Sequence, residues 1–238
     1  MPEIKASLSS YISKSSMSND DNELNKSMQM LLNKLSNNNF NDIANDVKTI
    51  KYTKKKHIYK LCELIIVKSI NEPTYCETYS KLCNALNSFS IIVANDNIEE
   101  TIYFKSLLLS ICKNMFESIT EVKLNTLDDM YKSEDYAQLN ITDLMRFIGE
   151  LYNYNILNDK IINHCYGILH NGILNGKLFF DPISLFVKIV LKKIKKESPL
   201  SYDKYKSDMD SLLASFNFPN KLTKFKIIEV IEFIDTIN

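Results

Sequence analysis

Glycine and proline are scarce in this chain of 238 residues, which contains only 4 glycines and 5 prolines. Turn-rich all-β folds need many of both, so this scarcity argues against them and favours long helices. Arginine is scarcer still, because Arg146 is the single arginine among 29 basic residues. The bias toward lysine indicates an AT-rich genome, such as that of a large DNA virus or an AT-rich protist.

The sequence also has no apolar signal region at its N-terminus and no apolar run of about 18 residues, so we expect a soluble, cytoplasmic protein that does not enter a membrane. The formal net charge of +0 excludes a global attraction to nucleic acid and leaves only local patches. The cysteines are odd in number and have no paired spacing, which predicts free, buried thiols. They are Cys62, Cys76, Cys83, Cys112 and Cys165.

Apolar residues recur with helical periodicity over most of the chain. In one example, Phe104, Leu107, Leu108 and Ile111 line a single helix face. We predict an all-α protein with helices near 23–35, 39–51, 54–70, 74–88, 100–117, 142–154, 159–172, 182–196, 202–216 and 221–236. Residues 1–22 are predicted to form a flexible N-terminal tail and residues 23–238 one domain. Within that domain, the more acidic residues 118–140 are predicted to be a linker with one short helix near 125–137.

Motifs for catalysis are missing. The sequence contains no phosphate-binding glycine loop, no Gly-x-Ser-x-Gly and no His-Glu-x-x-His. His164 and His170 are six positions apart, so they do not share a helix face and are not a metal-ligand pair. We therefore predict no metal, no cofactor and no enzymatic activity. The alternative from another class is an enzyme that acts through His164 and Cys165.

Four segments, in this order, resemble the middle domain of eukaryotic translation initiation factor 4G. They are Met30 to Phe40 (MLLNKLSNNNF), Leu64 to Cys83 (LIIVKSINEPTYCETYSKLC), Tyr103 to Phe116 (YFKSLLLSICKNMF) and Phe147 to Cys165, which opens with FIGELY. The resemblance covers about residues 28–236. It implies a HEAT-type α-solenoid of about five antiparallel helix pairs, and a minimal version of the factor.

The resemblance implies a translation initiation scaffold that binds the DEAD-box RNA helicase initiation factor 4A, stimulates it and binds mRNA. The helicase contacts of the family map onto Leu32, Asn33, Lys34, Leu35, Phe40, Glu72, Pro73, Phe147, Glu150, Leu151 and Tyr152. The apolar members of this set could equally be core residues. Glu150 and Tyr152 are the better surface candidates, because Phe147, Ile148 and Leu151 already supply a buried stripe.

Two dense lysine clusters are the candidate RNA contacts. They are Lys54, Lys55 and Lys56, and Lys192, Lys193, Lys195 and Lys196. The alternative for each cluster is a solvated helix end. A cap-binding protein and further initiation factors are additional partners that the resemblance allows. The two matches to the usual cap-binding-protein docking motif, Tyr59–Ile65 and Tyr103–Leu109, lie in predicted core helices.

We expect a monomer. Two other functions remain open at the level of sequence. One is a decoy that sequesters the host helicase, and the other is a different middle-domain adaptor in RNA processing or decay.

Overall fold

The computed structural model describes residues 19–95, 98–121 and 141–237. Within these ranges it contains ten α-helices, a 3-10 turn at Pro73–Tyr75 and one antiparallel β-hairpin. The helices are α1 (Asn19–Lys34), α2 (Phe40–Thr49), α3 (Lys55–Asn71), α4 (Cys76–Ala85), α5 (Phe104–Glu121), α6 (141–153), α7 (Asp159–Leu174), α8 (Phe180–Glu197), α9 (Pro199–Ser215) and α10 (Lys221–Thr236). The strands are β1 (Ser90–Asn95) and β2 (Ile98–Tyr103).

Helices that lie near one another in the chain pack together. Helix α1 contacts α2 and α3, α3 contacts α4 and α5, and α8 contacts α7, α9 and α10. One cluster of buried apolar side chains runs from Met28 in α1 to Ile234 in α10. All five cysteines contribute buried free thiols to the interior, as predicted. The all-α, HEAT-type solenoid predicted from the sequence is confirmed.

The hairpin is the one regular element among the described residues that the sequence analysis missed. The helix predicted near 100–117 begins only at Phe104, because Ile98–Tyr103 is a strand. Val93 and Ile102 face the core and are 8% and 3% exposed, whereas Ile92 and Tyr103 face outward and are 65% and 55% exposed. Alternation of this kind is typical of a strand with one buried face.

Helix ends differ from the predictions by a few residues, as the fraying of terminal turns leads one to expect. Helix α1 already begins at Asn19, inside the segment predicted to be a tail, and α5 continues to Glu121, inside the predicted linker. The tail residues 1–18 and the short helix predicted near 125–137 lie outside the described residues.

Candidate partner-binding surfaces

The connection between α1 and α2 carries the first predicted helicase segment. Asn39 holds this turn: its side-chain oxygen accepts from the Ser36 backbone N–H at 2.8 Å, and its amide donates to the Lys34 carbonyl at 2.7 Å. Asn33 and Lys34, at the end of α1, are exposed. Leu32 and Leu35 are 1% and 5% exposed and belong to the core, as do many other apolar members of the predicted set.

The second predicted segment is the turn from α3 into α4. Glu72 accepts hydrogen bonds from Lys68 and from the Tyr79 hydroxyl, each at 2.8 Å. Partial burial raises the pKa of the Glu72 carboxyl, but these two hydrogen bonds outweigh burial and hold the pKa below its ordinary value. Glu72 therefore fixes the turn. Pro73 and Tyr75 lie beside it and are exposed, and Tyr75 is 48% exposed to solvent.

The third predicted segment ends in a Schellman turn. Asn155 has a φ of 61°, its N–H donates to the Tyr152 carbonyl at 2.9 Å, and the Ile156 N–H donates to the Leu151 carbonyl at 2.9 Å. Asn tolerates this left-handed conformation better than most residues. The turn reverses the chain and brings Asp159 close to Tyr152.

Tyr152 does not lie at the surface, and that prediction was wrong. The residue is 1% exposed. Its hydroxyl donates to Asp159 at 2.6 Å, and Lys193 Nζ lies 4.3 Å from the ring centroid. Helical periodicity placed Tyr152 at the edge of the buried stripe, but a lysine from α8 covers that edge. Phe147 and Leu151 are each 0% exposed, so they too belong to the core.

Glu150 is half-buried and accepts a hydrogen bond from Asn153 at 3.2 Å. Burial raises the pKa of its carboxyl, and the nearby Glu77 carboxylate raises it further, against the hydrogen bond from Asn153. Glu77 accepts from the Tyr154 hydroxyl at 3.0 Å, and this contact joins α4 to the end of α6.

Helix α4 brings the three predicted segments together. It follows directly on the Pro73–Tyr75 turn, it meets α6 through Glu77, and one turn further along Lys81 Nζ lies 4.3 Å from the ring centroid of Phe40. Glu77 and Lys81 are both exposed. Neither residue was predicted from the sequence as a site residue, although their i, i+4 spacing on a predicted helix placed them on one face. We call this surface the α4 edge.

Gly149 is explained by close packing of α6 against α8. A Cβ atom on Gly149 would lie 2.8 Å from Cγ2 of Ile189 and 3.3 Å from its Cβ. Real Cβ atoms essentially never come that close to another heavy atom, so only glycine allows this helix contact.

The first lysine cluster is occupied by acidic partners. Lys54 and Lys56 lie 3.3 and 2.6 Å from the carboxylate of Asp21, which is buried and also contacts His57 Nε2 at 2.8 Å. Lys55 pairs with Glu100 at 3.0 Å. These contacts hold the start of α1 and the hairpin against α3. RNA would have to compete with them.

The second lysine cluster is divided. Lys193 donates to the Tyr152 carbonyl at 2.5 Å and to Asn155 Oδ1 at 2.6 Å, and Lys195 donates to the Ile237 carbonyl at 2.5 Å. These two lysines bind the ends of neighbouring segments. Lys192 and Lys196 remain exposed.

His164 and Cys165, the alternative nucleophile pair, differ in exposure. His164 is exposed whereas Cys165 is 4% exposed, and burial raises the pKa of the Cys165 thiol to about 12, so it stays protonated near neutral pH. The described ranges contain no group of three or more His, Cys, Asp or Glu side chains able to hold a metal ion. None of the helices in those ranges is long and apolar enough to cross a lipid bilayer.

Helices that stack mainly on their neighbours in the chain are typical of α-helical repeat scaffolds. Residues 25–234 match the model of the MIF4G domain, and the chain belongs to this family. The assignment confirms the resemblance found in the sequence, to the middle domain of eukaryotic translation initiation factor 4G.

Relatives in the family include translation initiation factors. The chain is 25% identical over 162 residues to eukaryotic translation initiation factor 4 gamma 3 of Mus musculus, covering 60% of this chain and 10% of that protein. It is 29% identical over 152 residues to eukaryotic translation initiation factor 4G of Arabidopsis thaliana, covering 59% and 9%. A probable eukaryotic translation initiation factor 4 gamma homolog of Vairimorpha ceranae (strain BRL01) is 26% identical over 223 residues, covering 84% and 36%. The chain thus spans about a tenth of the length of the mouse and Arabidopsis relatives.

A solved structure shows the same fold. The MIF4G domain of Trypanosoma cruzi translation initiation factor EIF4G5 superimposes with a TM-score of 0.53 at 15% sequence identity, covering 90% of this chain and 95% of that one.

Proposed function

We propose that this chain is a translation initiation scaffold that binds the DEAD-box helicase initiation factor 4A, binds RNA and stimulates the helicase. The observation that carries the proposal is the α4 edge. Three segments that are far apart in sequence, and that the resemblance links to helicase binding, meet along one ten-residue helix. The names of the relatives, which are translation initiation factors, support the same biological process.

The exposed members of the proposed helicase site are Asn33, Lys34, Pro73, Tyr75, Glu77 and Lys81. Tyr75 is the best anchor, because it is aromatic and 48% exposed, and tyrosine is enriched among the residues that dominate binding energy at protein interfaces. The buried residues of the predicted set, including Leu32 and Phe147, would act by positioning this surface.

A scaffold of this kind does no chemistry. A two-domain helicase exchanges between open and closed arrangements, and a rigid solenoid that binds one arrangement more tightly raises its population. Each tenfold difference in affinity shifts the equilibrium by about 1.4 kcal/mol. Such a scaffold would act in the cytoplasm as a monomer, with a cap-binding protein and other initiation factors as further partners.

The test is the affinity for purified initiation factor 4A, measured by titration calorimetry. We expect Tyr75→Ala combined with Lys81→Glu to weaken binding at least about tenfold, a loss of about 1.4 kcal/mol. The matched control is Tyr103→Ala, which removes a tyrosine of similar exposure from β2, a strand that carries no residue of the α4 edge. A folded double variant that still binds at wild-type strength would remove the α4 edge from the helicase site.

The activity of the complex tests the rest of the proposal. We expect the isolated chain to hydrolyse no ATP, and to raise the ATPase and unwinding rates of initiation factor 4A when added to it. ATP turnover by the chain alone, free of helicase, would contradict the scaffold assignment. Inhibition of the helicase in place of stimulation would favour the decoy.

A further inference from the structure

The first two turns of α10 present an unusual group of exposed side chains. Leu222 and Phe225 are 64% and 60% exposed, and Lys221 and Lys224 beside them are also exposed. The spacings are one, three and four residues, so all four side chains lie on one contiguous part of the helix surface. We call them the α10 patch.

The patch is positively charged. From Asn217 to Ile228 the chain carries three lysines and no acidic residue. Lys226 is engaged with Asp181. Lys221 and Lys224, in contrast, have no ion pair or hydrogen bond from their amines anywhere in the described part of the chain. In this respect they differ from five of the seven lysines in the two clusters that the sequence pointed to.

The fold does not need these side chains. Helix α10 is anchored by Ile227, Val230 and Ile234, each 0% exposed. Lysines close to a helix N-terminus oppose the helix dipole, and an exposed phenylalanine gains nothing from burial. Local rules are most often broken where a function requires it.

We propose that the α10 patch is a binding site for single-stranded RNA, in which Phe225 stacks on a base and Lys221 and Lys224 contact the phosphates on either side. Aromatic faces combined with cations are the arrangement that binds single strands without sequence preference. This site rests on the proposed RNA-binding function and gives it a place that the sequence did not indicate. A protein partner is less well matched, because lysine is depleted at the centres of protein interfaces.

The test uses two fluorescein-labelled 12-nucleotide probes, oligouridylate and oligoadenylate, with fluorescence anisotropy at several salt concentrations. We expect Lys221→Gln with Lys224→Gln to weaken binding of both probes at least tenfold. The slope of log affinity against log salt should become shallower by about 1.4, since each phosphate contact to a single strand contributes about 0.7. The control is Lys48→Gln with Lys51→Gln, which removes two exposed lysines at the same spacing and should leave affinity within twofold.

Substitutions at the apolar positions separate stacking from general contact. We expect Phe225→Ala to weaken binding at least fivefold, Phe225→Trp to retain it and Leu222→Ala to change it less than twofold. Thermal melting should show all variants folded, because the patch is exposed.

Four outcomes are informative. Equal RNA binding by wild type and all α10 variants would overturn the site while leaving the proposed RNA function standing. If neither probe bound to the wild-type chain at low salt, both the α10 site and the proposed RNA function would be overturned. Equal losses of RNA affinity in Leu222→Ala and Phe225→Ala, without a change of salt slope in the lysine double variant, would overturn the base stacking and the phosphate contacts proposed for this site. The pattern expected above would establish it.

Discussion

Replacing Gly149 by alanine should destabilise the protein, although alanine is the better helix former. The added Cβ would lie 2.8 Å from Ile189 Cγ2, about 1 Å inside the ordinary contact distance of carbon atoms. Ile189 is β-branched and sits in a helix, so its χ1 angle has essentially one allowed value and the methyl group cannot rotate away. Overpacking of this kind costs about 1–3 kcal/mol.

Gly167 provides the matched control. It also lies inside a helix, α7, but a Cβ there would meet nothing within 4 Å. Gly167→Ala should therefore show the propensity gain alone, about 1 kcal/mol of stabilisation. The same gain applies to Gly149→Ala, so the difference between the two variants isolates the packing cost. For a domain of this size, that difference corresponds to melting temperatures roughly 2–12 °C apart.

The assay is denaturant unfolding followed by circular dichroism, with thermal melting as a second measure. In an Ile189→Ala background the obstructing methyl group is gone, although the Cβ at position 189 stays 3.3 Å away, so Gly149→Ala should be clearly less destabilising there than in the wild-type protein. Equal stabilisation of the wild-type protein by Gly149→Ala and by Gly167→Ala would refute the clash with Ile189. The clash would also be refuted if Gly149→Ala had the same effect in the Ile189→Ala background as in the wild-type protein.

Three further predictions concern side chains. Lys193→Met should cost about 1–3 kcal/mol in unfolding titrations by leaving the partly buried Tyr152 carbonyl without its donor, whereas Lys192→Met, next to it and exposed, should stay within about 0.5 kcal/mol. The pKa of Glu72 is lowered in the folded protein, so its ionised carboxylate stabilises the fold at pH values above the ordinary pKa. The pKa of Glu150 is raised, so its ionised carboxylate destabilises the fold. Glu72→Gln should thus lower stability at pH 7 and Glu150→Gln raise it. The Glu72 difference should shrink as the pH falls below about 4, whereas the Glu150 difference should shrink earlier, as the pH falls toward the ordinary glutamate pKa of about 4.3; differences that persist at pH 2 would refute this. All five buried thiols should react with a thiol reagent far more slowly in the native protein than in denaturant, and one fast native thiol would contradict their burial.

The sequence was sufficient for the helices, because each one buries an apolar stripe that its own periodicity shows. The stripe through Phe104, Leu108 and Ile111 is buried in α5 as predicted. The hairpin had a readable signal as well. Ile91, Ile92 and Val93 form a β-branched run, and Ile102 lies in a second short run that ends in an aromatic residue. The helical periodicity that follows at Phe104 was extended too far backward over it.

The surfaces were harder to predict, because they depend on contacts between residues far apart in the chain. Tyr152 looks peripheral on its own helix and is covered only because Lys193, 41 residues later, reaches across it. From the sequence, Gly149 could be explained by close packing or by function. The close approach of Ile189, which lies in another helix, shows that packing explains it. The lysine clusters look free in the sequence, and their acceptors lie in other elements.

The α4 edge has a practical consequence for how this protein can be studied. Its parts come from the α1–α2 connection, from the Pro73–Tyr75 turn, from α4 and from the end of α6, and they adjoin only in the folded chain. It is a discontinuous epitope. Synthetic peptides copied from any one segment should compete poorly with the intact domain, peptide arrays should miss it, and antibodies raised against the native surface should lose recognition on a denaturing blot.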